Sequence, residues 1–142
     1  VSHCEFFVKG VKSLEGEAMQ EGRAVYDSEK VYLCGYWMSP GVRFYCFVPS
    51  VRLYFKYTLH KGDMDDDVQW PLKHKVRVSV IHPRGRGGIV QEVEPNPFHQ
   101  GNQKPTTSGK YPCYFYSSAL QELIRDGYVD NDQLRIKFEL LP

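Results

Sequence analysis

A chain of 142 residues with 18 Lys and Arg against 17 Asp and Glu has a formal charge of +1, too balanced for phosphate backbones or membrane surfaces to be its expected partners. The length suits a single domain over 1–142 that buries roughly 68–70% of the surface its unfolded form exposes. The 4 cysteines, Cys4, Cys34, Cys46 and Cys113, contain no Cys-x-x-Cys pair, so neither a zinc knuckle nor a disulfide framework is expected, and the thiols read as reduced, partly buried and cytoplasmic.

Val1-Ser2-His3-Cys4-Glu5 has no basic n-region leading into an apolar core. No signal peptide or membrane insertion is therefore predicted. Short strands are expected over 6–11 and 31–33. Val42, Phe44, Cys46 and Val48 then alternate with Arg43, Tyr45 and Phe47, and after Pro49-Ser50 the alternation resumes through Val51, Leu53, Phe55, Tyr57 and Leu59, which predicts two paired strands. Val76, Val78 and Val80 alternate in the same way, and a Gly-rich turn at 83–88 leads back through Ile89, Gln91 and Val93 as a hairpin. A short strand follows over 112–116.

Ser118 and Gln121 have the spacing of a capping box, and Leu120, Leu123 and Ile124 form an apolar stripe. A helix over 117–126 is predicted, ended by Gly127. Leu134, Ile136, Phe138 and Leu140 then face away from Gln133, Arg135, Lys137 and Glu139, a strand with one buried side. The sum is an all-β antiparallel sandwich of about eight strands with one short helix near the C-terminus.

Gly62-Asp63-Met64-Asp65-Asp66-Asp67 lacks the ligand progression of an EF-hand and reads as a solvated turn, with Trp70 beyond it as an anchor closing one end of the core. His3, His60, His74, His82 and His99 are dispersed without a hydrolase spacing. A Cys–His pair could assemble only by folding, from Cys46 or Cys113. Gly85-x-Gly87-Gly88 opens a strand, not a helix, and is no phosphate loop. No catalytic residue, metal site or cofactor is expected. The polar stretch over 95–109 has the length of a binding loop or a simple connector.

Taken in order, six segments resemble the TRAF-C, or MATH, domain of the tumour necrosis factor receptor-associated factors. Val42-Arg43-Phe44-Tyr45 is similar to the family's apolar-Arg-apolar-Tyr strand. The stretch from Leu59-His60-Lys61-Gly62-Asp63 to Gln69-Trp70-Pro71-Leu72 resembles its Gly, acidic, Trp-Pro segment, and Lys75-Val76-Arg77-Val78 its next strand. Gln103-Lys104-Pro105, Ser108-Gly109-Lys110-Tyr111-Pro112 and Tyr128-Val129-Asp130-Asn131-Asp132 resemble its Gln-Arg-Pro, Ser-Gly-Cys-Pro and Tyr-Val-x-Asp-Asp signatures.

The resemblance implies a non-catalytic module that binds extended peptides of receptor tails, adaptors or ubiquitin-pathway substrates at a sheet edge, where unpaired amides and carbonyls can accept another strand. It assigns peptide contact to Arg43, Tyr45, Glu94, Phe98, Ser108, Gly109, Tyr111 and Pro112. Homo-oligomers would form through segments outside this chain.

Several family features are absent. The loop after Val48 is only Pro49-Ser50. Val93-Glu94-Pro95 stands in place of Phe-Arg-Pro, His99-Gln100-Gly101 replaces a serine triplet with Asn102 after it, and Phe6-Phe7-Val8 lacks the usual Trp. The family's usual acidic or proline-containing motif should therefore bind weakly. The alternative reading is a structural or assembly domain with a degenerate groove that docks a folded partner or its own copies.

Overall fold

In the computed structural model, which describes residues 1–85, 87–106 and 111–142 apart from the side chains of Tyr116 and Ser117, the period-two segments become two facing antiparallel sheets. The strands are β1 (His3–Lys9), β2 (Arg23–Asp27), β3 (Val31–Leu33), β4 (Tyr36–Phe47), β5 (Ser50–His60), β6 (Val76–Ile81), β7 (Ile89–Val93), β8 (Cys113–Ala119) and β9 (Gln133–Leu140). One sheet has the order β1-β9-β6-β7; the other has the order β2-β4-β5-β8, with β3 also paired to β4. The core lies between them. Leu134, Ile136 and Phe138 of β9 and Val76, Val78 and Val80 of β6 are buried, as are Val42 and Phe44 of β4 and Leu53, Phe55 and Tyr57 of β5. The Tyr57 and Phe138 rings meet across the layers at 6.0 Å.

β4 starts 6 residues before the predicted strand, at Tyr36. Pro40-Gly41 looks like an interruption because proline cannot donate to a ladder. The chain tolerates it because β3 pairs with Tyr36, Trp37 and Met38 whereas β2 pairs with 41–45, so Pro40 sits where the partner strand changes. There its carbonyl accepts from Ser28 N at 2.8 Å.

A helix that the sequence reading did not predict, α1 (Val11–Glu21), links the sheets. It buries Val11 and Ala18 and packs Leu14 against the core. Its N-terminus has no local Ser, Thr, Asp or Asn cap. The cap comes from the far end of the chain: Asp132 O accepts from Gly10 N and Val11 N at 3.1 Å each, and Asp132 Oδ1 accepts from Lys12 N at 2.9 Å.

The second helix, α2 (Leu120–Arg125), is shorter than predicted, and the capping box does not form. Ser118 is still paired in β8, opposite Leu53, so tertiary pairing overrides the local cap. Leu120 and Leu123 are buried but Ile124 is 41% exposed. Gly127, at φ 84, ends the helix, with its N–H on Ile124 O at 3.1 Å.

The acidic turn is only partly solvated. Asp65 is buried, its Oδ2 accepts from Gly62 N at 3.0 Å, and its carbonyl accepts from Trp70 Nε1 at 2.8 Å. Trp70 packs edge-on against Tyr36, with ring centroids 5.1 Å apart. No helix among the described residues is long and apolar enough to cross a membrane.

Candidate functional site

Strand periodicity puts Arg43 and Tyr45 on the outer face of the five-stranded sheet. Arg43 is flanked by Val25 of β2 and Tyr54 of β5, and Tyr45 by Arg23 and Arg52. β4 is thus an interior strand, and strand addition cannot occur on it. The border strand on this side is β8, which pairs with β5 alone among the described strands.

Arg43 reaches that border along the face of the sheet. Its Cζ lies 4.0 Å from the centroid of the Tyr114 ring on β8, 5.1 Å from that of Tyr45 and 5.4 Å from that of Tyr54, geometries in which the ring quadrupoles attract the cation. Arg43 Nε is nevertheless buried without a hydrogen-bond partner, one of 2 such side-chain atoms among the described residues, the other being Asp65 Oδ1. A guanidinium held by three rings keeps its charge, and its Nε donor is left unsatisfied.

Beside β8 runs a cleft of about 130 Å³ whose walls include Glu94, Pro95, His99, Cys113 and Tyr114. Its floor is a buried polar cluster. Asn102, 1% exposed, accepts from Tyr57 Oη at 2.6 Å and donates to Asn96 O at 2.9 Å, which ties the described part of the polar loop to β5. Gly101 approaches so closely that a Cβ would stand 2.3 Å from Tyr111 O, so only glycine fits.

Cys113 Sγ lies 3.4 Å from His99 Nδ1 and 3.5 Å from Asn102 Oδ1, so folding does assemble a Cys–His pair. It is not an activated one. His99 Nδ1 already accepts from Gly101 N at 2.9 Å, and burial raises the Cys113 thiol above its ordinary pKa. Burial, then the neighbouring Cys113, likewise raises the Tyr57 phenol. The other described histidines that are buried or half-buried serve structural contacts: His82 Nε2 is 2.9 Å from Asp126 O, His74 Nδ1 is 2.7 Å from Leu141 O and His60 Nε2 is 2.7 Å from Ser39 Oγ.

Of the residues singled out in the sequence, Arg43 and Tyr45 share one face with Tyr114, and Tyr114 shares the cleft with Glu94. Phe98 stands apart, 91% exposed. Tyr111 borders a different cavity of about 220 Å³ with Leu59, Gln103 and Lys104, and Pro112 is half-buried just before β8. Ser108 and Gly109 lie outside the described residues. Tyr54 and Tyr114 went unrecognised because the strands were read for their buried positions. The same alternation marks Arg52, Tyr54 and Lys56 as the opposite face.

The TRAF/meprin MATH domain family matches residues 28–137, a span that holds β3 to β8 and the first part of β9. The chain belongs to that family. Among solved structures it resembles TRAF5 of Notothenia coriiceps, with a TM-score of 0.79 and 18% identity over 98% of this chain and 72% of that one, a likeness that speaks for the fold. No curated protein sequence matches it. As a MATH domain it is a protein-interaction module with protein partners.

Proposed function

We propose that this single MATH domain, without catalysis, binds an extended peptide of a cytoplasmic receptor tail, adaptor or ubiquitin-pathway substrate by strand addition along β8. Arg43 takes an acidic side chain of the guest, and Tyr45, Tyr54 and Tyr114 form the wall around it. The observation that carries this reading is an Arg43 side chain whose Nε is buried without a partner and whose Cζ lies 4.0 Å from the centroid of a ring on the border strand. An unpaired strand edge supplies main-chain hydrogen bonds, and the side-chain box supplies selectivity.

A bound carboxylate would exchange water for a charge-assisted hydrogen bond worth about 1.5–3 kcal/mol. Titration of selected peptides against the wild type, Arg43→Ala and Tyr114→Ala tests the reading. Loss of affinity in both variants supports it; unchanged affinity in both removes this face from consideration. A domain that binds no peptide but gains mass with concentration would point instead to an assembly role.

A further inference from the structure

On the outer face of the β2-β4-β5-β8 sheet the charges are almost all of one sign. The pairing registers place Arg23, Tyr45 and Arg52 in one row across the strands, Val25, Arg43 and Tyr54 in the next, and Lys56 beside Tyr114 in a third. Ala24, Val42, Phe44, Leu53 and Phe55, which alternate with these residues, are buried in the core, so the three rows share the outer face. Asp27 is the one acidic residue in β2, β3, β4, β5 and β8, and Lys56 holds it. The remaining cations of the face are Arg23, Arg43 and Arg52.

We infer that the acidic group taken by Arg43 is a phosphate, carried by a phosphoserine or phosphothreonine of the guest strand, and that Arg52 is its second binding group. This deepens the peptide-binding reading and rests on it. Arg43 pairs with Tyr54 while Arg52 pairs with Tyr45, which makes the two arginines diagonal neighbours, about 7–8 Å apart and within reach of long side chains. Both approach the border strand. Arg52 stands on β5 opposite Ala119 of β8. Arg43 starts one strand further in, yet its Cζ lies 4.0 Å from the centroid of the Tyr114 ring on β8 and 5.1 Å from that of Tyr45, in the row of Arg52. A strand added to β8 would lie about 4.7–4.9 Å beyond it and turn every second side chain toward this face.

The chemistry of the cluster suits a phosphate better than a carboxylate. Arg43 is diagonal to Arg23 as well as to Arg52, so three like charges surround Tyr45, an arrangement that costs the free protein repulsion. A carboxylate matches one guanidinium fork, whereas a phosphate monoester brings a charge of about −1.5 to −2 and three acceptor oxygens. The dianion can bridge two arginines and relieve their repulsion. Because the whole chain carries only +1, the excess is local, which fits one phosphate on a strand and not the repeated phosphates of a nucleic acid.

Nonapeptide pools with a fixed central Ser, phosphoserine, Asp or Glu and all other positions randomised test this on the wild type, Arg52→Gln and Arg43→Ala, with circular dichroism to confirm that each is folded. The wild type is expected to retain the phosphoserine pool roughly tenfold more than the Asp and Glu pools, the gain of one further charge-assisted hydrogen bond. Arg52→Gln should bring that ratio close to one while still retaining the acidic pools above the Ser pool. Arg43→Ala should lower retention of the phosphoserine, Asp and Glu pools alike. Equal retention of phosphoserine and Asp by the wild type would overturn the phosphate and leave acidic-peptide binding standing, and a full preference in Arg52→Gln would overturn the part given to Arg52. Retention of no pool above background would overturn both readings. Displacement of the phosphoserine pool by an equal concentration of a short oligodeoxythymidylate would overturn the phosphopeptide in favour of a nucleic acid.

Discussion

The two outer faces of the sandwich use cations differently. On the β1-β9-β6-β7 sheet, Arg77 pairs with Glu92 at 2.8 Å and Glu139 at 3.7 Å, Lys137 with Glu139 at 3.8 Å and Arg135 with Glu5 at 3.0 Å. On the β2-β4-β5-β8 sheet, Lys56 pairs with Asp27, but Arg43 is stacked among tyrosines with no carboxylate paired to it among the described residues. Cross-strand charge pairs help to fix register in a wet sheet and contribute little each. An arginine boxed by rings keeps its charge in a partly dry setting, where an arriving anion gains more.

The largest expected effect lies on the aromatic face. Arg43→Ala should weaken selected peptides by about 1.5–3 kcal/mol, read as a roughly tenfold or greater rise in Kd by fluorescence anisotropy, with little change in thermal midpoint. An equal loss of stability and binding would mean that Arg43 is a packing residue only. The cleft floor should respond the other way. Asn102→Ala leaves the buried Tyr57 hydroxyl with only the weak Cys113 thiol as a partner and should cost about 1–3 kcal/mol in chemical denaturation, whereas Tyr57→Phe added to it should restore part of the loss.

How far the sequence shows these faces depends on the range over which each feature is determined. The strands 51–59, 75–81 and 133–140 were legible because burial on one side imposes a period of two within the segment itself. α1 was not, since its cap comes from Asp132, 120 positions away from Lys12, and α2 was overcalled because Ser118 is claimed by the β8 ladder. The Arg43 and Tyr45 pair could be named from a family resemblance, but the Tyr114 partner required knowing which strand lies at the border. Asp132→Ala tests the remote cap directly: about 1 kcal/mol of stability should be lost, and hydrogen exchange should accelerate first in α1.

A buried histidine at one end of the aromatic-face sheet adds a pH dependence. His60 Nε2 is 2.7 Å from Ser39 Oγ, and both residues are buried. Burial first, then Lys30, lowers its pKa; Asp27 opposes this and Lys56 adds to it. The unfolded chain, near the ordinary value of about 6.5, takes up a proton before the folded one does. The stability that His60 contributes is therefore present above that value and is lost as the pH falls below it toward the folded pKa. Thermal denaturation at pH 7.5 and 5.5 should show a drop that His60→Gln makes shallower; an identical drop in the variant would place the proton uptake elsewhere.

The smallest expected effect belongs to the charge-paired face, and it completes the contrast. Hydrogen bonding to Glu92 raises the Arg77 pKa and the same contact lowers that of Glu92, yet both side chains are well exposed, at 38% and 36%. Salt screens such pairs. Arg77→Ala should lower the thermal midpoint slightly at low ionic strength and not measurably at high salt, with peptide affinity unchanged throughout. A binding defect in Arg77→Ala as large as that of Arg43→Ala would erase the distinction between the two faces, because it would show that recognition follows net charge and not the aromatic box.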